Sequence, residues 1–271
     1  MGIFPGFGAW TSQNTQQPTK SEKNVKSKPT TQAKTHEDRD EMKEQLKLWR
    51  DANKKKQYHE PPPTVKKVRT DHNSGISYMK MEFTLGLPPQ AAYDVLTNQE
   101  NITYSREIKG RPLLKAVSRK VKPEKDEGNQ GSMFDVEVEK ELSWNFLFLS
   151  GTIPIRLNVL EDPKALYVHY LKQQNGLRLM EDFEGMYSVE PVYVDAERLC
   201  KHMKPKNPEE YRKCSGGKGL IASKVKVFQT FRPASPWDLP LVSSYVRRFT
   251  VETTKNVAKD FQMQAGDIRG L

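Results

Sequence analysis

The stretch ISYMKMEFTLGLPPQAAYDVLT, Ile76 to Thr97, sets the fold class. Met79, Met81, Phe83 and Leu85 alternate with Tyr78, Lys80, Glu82 and Thr84, the period-two pattern of a strand with one buried face. Pro88-Pro89 then predicts a helix start, because a proline in the first helical turn has no N–H to leave unbonded. Ala91, Ala92, Val95 and Leu96 give that helix an apolar side, and one or two short helices are expected from Pro88 to about Ile108.

Downstream the period stays at two. Leu113 to Val121 and the run Phe134, Val136, Val138, Leu142, Trp144 flank a polar turn at Glu124 to Gly131, which fits two antiparallel strands. Leu147, Leu149, Ile153, Ile155, Leu157 and Val159 lead to a turn at Glu161-Asp162-Pro163-Lys164, and Leu166, Val168 and Tyr170 resume beyond it. Further strands are expected over Leu177 to Val189 and Ile221 to Phe231. After Pro233, Pro236 and Pro240 the period changes. Val242, Tyr245, Val246, Phe249, Thr253, Val257 and Phe261 follow the i, i+3, i+4, i+7 spacing of a long amphipathic helix, with Gly266 as its expected stop. Six or seven antiparallel strands joined by short loops, with one long helix on one face, make an α+β arrangement.

Ahead of this body the composition differs. The 271-residue chain has a net charge of +10, with 35% hydrophobic and 29% charged residues, a pI near 9.4 and a mean hydropathy of −0.78. That average is too polar for a chain that forms core throughout. Residues 1–72 hold 15 Lys and Arg against 9 Asp and Glu, so +6 of the +10 lies there. Trp10 to Thr35 is almost devoid of apolar residues and reads as disordered. In Thr35 to Gln57, acids lead and lysines close, the order that suits a helix dipole. One helix is therefore expected near residues 36–57, either solvated or docked through Met42, Leu46 and Trp49. Pro61, Pro62 and Pro63 end it and act as a stiff spacer. The expected division is residues 1–72 as a basic extension and residues 73–271 as the folded domain. The apolar tip Ile3, Phe4, Phe7 and Trp10 suits an aromatic linear motif or a segment tucked on the body. Gly2 lacks the Ser or Thr at the sixth position that myristoylation requires, since Gly6 stands there.

Here the element order resembles a known one. The first strand running into PPQAAYDVLT (Pro88 to Thr97), the antiparallel sheet, and the Pro-rich approach to a terminal helix carrying Val-Arg-Arg-Phe (Val246 to Phe249) are similar to the START-like helix-grip superfamily. That superfamily includes polyketide cyclases, lipid-transfer domains and the birch-pollen allergens, and the texture is similar to an uncharacterised plant branch of "polyketide cyclase/dehydrase and lipid transport". The resemblance covers roughly Asn73 to Gly266. It implies a curved sheet wrapped round the long helix with a cavity for an apolar ligand, and it names neither the ligand nor a catalytic residue.

The motifs exclude several classes. No run approaches the ~20 apolar residues of a membrane-spanning helix; WNFLFL, Trp144 to Leu149, is the longest candidate. No GxSxG, HExxH, dinucleotide or phosphate-loop signature occurs, and Gly216-Gly217-Lys218-Gly219 reads as a turn. Cys200, His202 and Cys214 are three poorly spaced ligands where a structural zinc needs four, so no metal and no cofactor is expected. The two cysteines, a bridge across one loop or two ordinary thiols, exclude a disulfide framework and favour a reduced compartment. The start MGIFPGFGAW lacks the basic region and apolar core of a secretory signal, so the cytoplasm is the expected location. Asp195 to Lys218 holds seven Lys and Arg against four acids, a flap either kept soluble by charge or able to touch acidic headgroups. Lys and Arg are otherwise scattered and no reader motif is present, so nucleic acid is not an expected partner; a monomer is expected.

The expected function is binding of a hydrophobic small molecule or lipid, with transient contact to anionic membrane. Candidate cavity residues on the early strands are Met81, Phe83, Phe134, Trp144 and Leu157. Leu179, Phe183, Tyr187, Val227, Val246 and Phe249 complete the apolar set. Glu181 shares the parity of Leu179 and Phe183, so it is a carboxylate buried in the cavity, with a raised pKa, or it pairs with an Arg such as Arg178 or Arg247 at the cavity rim, or a one-residue register change turns it to water. Two alternatives remain. One is a cyclase or dehydratase using Glu181 or Tyr187; the other is a scaffold whose cavity is filled by its own side chains.

Overall fold

The computed structural model describes residues 31–97, 113–121, 133–146 and 149–270. Residues Arg39–Leu271 form one compact unit; of Met1–Asp38, the described part is the opening of a single helix, α1 (Thr31–Lys55). The apolar tip, the tail as far as Thr30, the segment reaching Ile108, the turn at Glu124 to Gly131 and Leu147 lie outside the described residues.

Among the described residues, eight strands form one antiparallel sheet. They are β1 (Thr64–Thr70), β2 (Ser77–Leu85), β3 (Leu113–Val121), β4 (Phe134–Phe146), β5 (Leu149–Asp162), β6 (Tyr167–Lys172), β7 (Met180–Tyr193) and β8 (Ile221–Pro233). Their order across the sheet is β1-β2-β8-β7-β6-β5-β4-β3. Strands β3 to β8 form a meander in which each pairs with the next, and β2 returns to pair with β8. Helix α2 (Pro89–Thr97) follows β2 directly, as Pro88-Pro89 predicts. Short helices α3 (Ala196–Leu199) and α4 (Pro208–Ser215) lie between β7 and β8, and α5 (Pro240–Ile268) closes the chain. A curved antiparallel sheet gripping one long C-terminal helix is the helix-grip fold.

The alternation in β2 becomes burial: Met79, Met81, Phe83 and Leu85 are buried on the inner face, while Tyr78 and Lys80 are exposed. The core joins these residues to Ala91, Ala92, Tyr93, Val95 and Leu96 of α2 and to Val246, Ala258 and Ala265 of α5. Gly185 of β7 stands opposite Tyr170 of β6. A Cβ there would run into the Tyr170 ring, so glycine is what lets the tyrosine lie flat across the strand and reach inward.

The structure adds detail at two places along the chain and corrects the expected end of α5. The boundary at residues 72 and 73 falls inside the β1–β2 hairpin, because Thr64–Thr70 is a paired edge strand of the sheet. The hairpin turns on Gly75 at φ +70, a left-handed conformation open to glycine, and Asp71 accepts from the Asn73 N–H and the Ser74 hydroxyl. These bonds hold the Asp71 carboxyl below its usual range. Second, α1 begins at Thr31 and docks through its thin stripe. Trp49 is 1% exposed, and Met42 and Leu46 pack against the core. Third, α5 runs through Gly266, which is buried in the helix, so close packing overrides its stop signal.

Cys200 and Cys214 are joined as a disulfide with their Cα atoms 5.2 Å apart. The bond closes the α3–α4 segment, whose small core holds Tyr211 and Ile221. Tyr211 is fully buried and its hydroxyl donates to Val194 O; burial pushes its pKa up to about 12. With both thiols bonded to each other, neither is available to a metal.

Candidate functional site

Between the concave face of the sheet and α5 lies a cavity of about 250 Å³. Its walls are built by parity. Even-numbered residues of β4 and odd-numbered residues of β5 point inward, bringing Val138 and Leu142 against Ile155, Leu157 and Val159. On α5 the inward stripe is Phe249, Thr250, Thr253, Thr254, Val257, Ala258 and Phe261. Several of these are small, so the helix spans the sheet without filling the space beneath it; larger residues at these positions would close the gap as ordinary cores do.

Eight candidate residues lie on this wall: Met81, Phe83, Leu157, Leu179, Phe183, Tyr187, Val227 and Phe249. Phe83 stacks on Phe261 at 6.5 Å, and Tyr170 lies 5.8 Å from Phe183 and 6.4 Å from Tyr187. The Tyr187 hydroxyl donates to Leu96 O at 3.3 Å.

Four candidates are placed otherwise. Phe134 has the inward parity but sits at the end of β4 and is 47% exposed. Val246 is buried in the core, one helical turn before the cavity stripe begins. Trp144 lies in β4 opposite Gly151, and its side chain is outside the described set. Glu181 faces solvent. The register shifts between Met180 and Asp182, and this bulge inserts one extra residue, so Met180 takes the inward place that strict alternation assigns to Glu181.

The structure also brings polar groups to the wall that apolar periodicity passes over. Tyr170 Oη donates to Gln229 Oε1 at 3.0 Å, and burial pushes the Tyr170 pKa up. Thr254 Oγ1 approaches the same Gln229 oxygen at 3.3 Å and donates to Thr250 O at 3.0 Å. Glu161, Asp260 and Gln264 reach the wall, each buried. So does Lys140 of β4, whose pKa is pushed down by burial. Lys140 keeps the parity of Val136, Val138 and Leu142, and that in-phase position is the sequence signal that marks it.

Replacing Phe249 with alanine is expected to cost about 1–2 kcal/mol in chemical denaturation. The ring is half-buried and borders open space, so it loses fewer contacts than a packed phenylalanine, whose removal costs about 3–5 kcal/mol. A loss in that higher range would mean the space beside Phe249 is filled.

Among the described residues, no helix is long and apolar enough to cross a membrane, and no cluster of metal-ligating side chains occurs. No curated protein matches the sequence. Solved structures similar to this chain include TTHA0849 from Thermus thermophilus, at 12% identity over 69% of this chain and 96% of that one, with a TM-score of 0.42. Ara h 8.0201 is similar at 14% identity over 70% and 98% of the two chains, TM-score 0.39. The Zhui aromatase/cyclase from Streptomyces sp. R1128 is similar at 10% identity over 70% and 93%, TM-score 0.38. A family model matches residues 67–271, from within β1 to the last residue, and the chain therefore belongs to DUF220, a domain of unknown function.

Proposed function

We propose that this protein binds a hydrophobic small molecule or lipid in the cavity between the sheet and α5. The observation that carries this reading is the cavity itself: space of about 250 Å³ walled mostly by aliphatic and aromatic side chains, with a few polar groups among them. Such a site gains free energy by removing apolar ligand surface from water, about 25 cal/mol per Å², while a small number of polar groups fix orientation. The same space speaks against a scaffold filled by its own side chains.

The enzymatic alternative loses its named groups. Glu181 is exposed, and the Tyr187 hydroxyl already donates to Leu96 O. A membrane contribution from Asp195 to Lys218 has less charge to draw on than the composition suggests. Arg198, Arg212 and Lys213 are paired with Asp195, Glu41 and Glu209 at 2.9, 2.7 and 2.8 Å, leaving Lys201, Lys204, Lys206 and Lys218 for an acidic surface.

The test is titration with the neutral apolar fluorophore N-phenyl-1-naphthylamine. Saturable enhancement at one probe per chain is expected, and Val257→Phe, which adds a ring to the cavity face of α5, should weaken it at least about tenfold. No saturable binding to the wild-type protein would sink the reading, as would equal binding by the Val257→Phe variant.

A further inference from the structure

The polar groups on the cavity wall divide into those with protein partners and those without. Tyr170, Thr250 and Thr254 are hydrogen-bonded, and Glu161 and Asp260 each have a partner. Gln229 and Gln264, 1% and 6% exposed, each leave one amide atom unbonded, Nε2 and Oε1 respectively, and Thr253 Oγ1 is likewise unbonded. Buried polar atoms without partners are rare in folded proteins and call for an explanation. Lys140, partly buried, stands on the same wall. Among the described residues its ammonium makes no hydrogen bond and no ion pair, and burial alone perturbs it, with no carboxylate opposing.

An ammonium on a largely apolar wall, with no counter-ion among the described residues, weakens the fold. Its position is also not forced, since Val136, Val138 and Leu142 fill the neighbouring inward places of β4 with apolar side chains. We propose that the cavity ligand is an apolar body bearing one carboxylate, and that Lys140 is the counter-ion which binds it. The inference rests on the cavity reading above and names the class of ligand. A single positive charge matches a monoanion. A phosphate dianion would meet one cation and, on the same wall, the acids Glu161 and Asp260. The unbonded Gln229 Nε2 and Thr253 hydroxyl supply neutral donors for a further oxygen on the ligand.

Decanoate and decanol share a chain and differ in the head group, so their competition against N-phenyl-1-naphthylamine isolates the charge. With the wild-type protein, decanoate is expected to bind at least about tenfold more tightly than decanol, as a charge-assisted hydrogen bond would give. In Lys140→Met that ratio should fall towards one, and in Lys140→Arg, which keeps the charge, a preference should survive. The empty Lys140→Met protein should also melt at a higher temperature than wild type, because an uncompensated charge has left the wall; a lower melting temperature would make Lys140 a structural residue and overturn the assignment. Equal affinities for decanoate and decanol in the wild type, or an unchanged ratio in Lys140→Met, would overturn the carboxylate while leaving the cavity reading intact. Failure of both ligands to bind the wild type would overturn the cavity reading and this inference with it.

Discussion

Replacing Arg269 with alanine is expected to destabilise the protein by about 3–5 kcal/mol, the cost of removing one partner from a buried ion pair. The Arg269 side chain is fully buried, and its two terminal nitrogens grip both carboxylate oxygens of Glu60, Nη2 to Oε2 at 3.0 Å. The same guanidinium donates to Gly86 O and Tyr58 O at 3.3 Å, and lies 5.7 Å and 5.4 Å from the Trp49 and Tyr58 ring centres. One side chain at the end of α5 therefore joins the segment after α1 to the turn between β2 and α2. Alanine would leave Glu60, itself 7% exposed at the side chain, as a buried anion without its cation. Burial and the Glu60 charge already raise the Tyr58 pKa, and Arg269 is what lowers it. Equilibrium urea unfolding of Arg269→Ala, Glu60→Gln and the pair Arg269→Met with Glu60→Leu provides the measurement. The apolar pair should recover much of the loss, since two well-packed apolar side chains can match a buried ion pair. A single-variant loss below about 1 kcal/mol would show the pair to be solvated like a surface ion pair.

Replacing Trp49 with alanine should cost a comparable amount, about 3–5 kcal/mol for a buried large aromatic. Its ring packs edge-on against Tyr58 with centroids 5.0 Å apart, and Nε1 donates to Ile221 O at 2.8 Å. One turn earlier, the Gln45 side-chain amide donates to Gly219 O and accepts from Ile221 N. Helix α1 thus satisfies backbone groups at the start of β8 that would otherwise be buried without partners, and Glu41 adds an ion pair to Arg212 of α4. Trp49→Phe separates the two contributions. It keeps most of the packing and orphans the Ile221 carbonyl, for an expected loss of about 1–3 kcal/mol. Unfolding midpoints of Trp49→Ala that match wild type would show that α1 does not stabilise the body.

Periodicity in the sequence was enough to set the order of the strands, α2 and α5 from Ile76 onward, though it passed over α3 and α4, because a strand with one buried face must alternate and a helix on a sheet must carry a 3.6-residue stripe. The strand-to-helix junction at Pro88-Pro89 follows from the same local rules, which reach an antiparallel sheet with one long helix on a face. The wrapping of the sheet round that helix is what the resemblance to the helix-grip superfamily implies. Met81, Phe83, Leu157, Leu179, Phe183, Tyr187 and Val227 reach the cavity wall through that alternation, and Phe249 reaches it through the helical stripe.

What local patterning could not reach is where the chain breaks its own period or meets itself at a distance. The bulge at Met180 turns Glu181 outward, and a one-residue insertion is invisible in a run where apolar and acidic residues both alternate. Strand β1 has the exposure pattern of an edge, with only Val65 and Thr70 partly covered, so no buried face marks it in the sequence. The docking of α1 depends on Trp49 meeting Ile221 and Arg269, more than 170 residues away, and so thin a stripe reads as solvated until its partners are in place. Lys140 has the inward parity of its neighbours, yet whether an ammonium there meets water, a carboxylate or an empty apolar wall is set by residues from other strands and from α5. Its environment, and the cavity that small residues on α5 leave open, exist only once the sheet has curved around the helix.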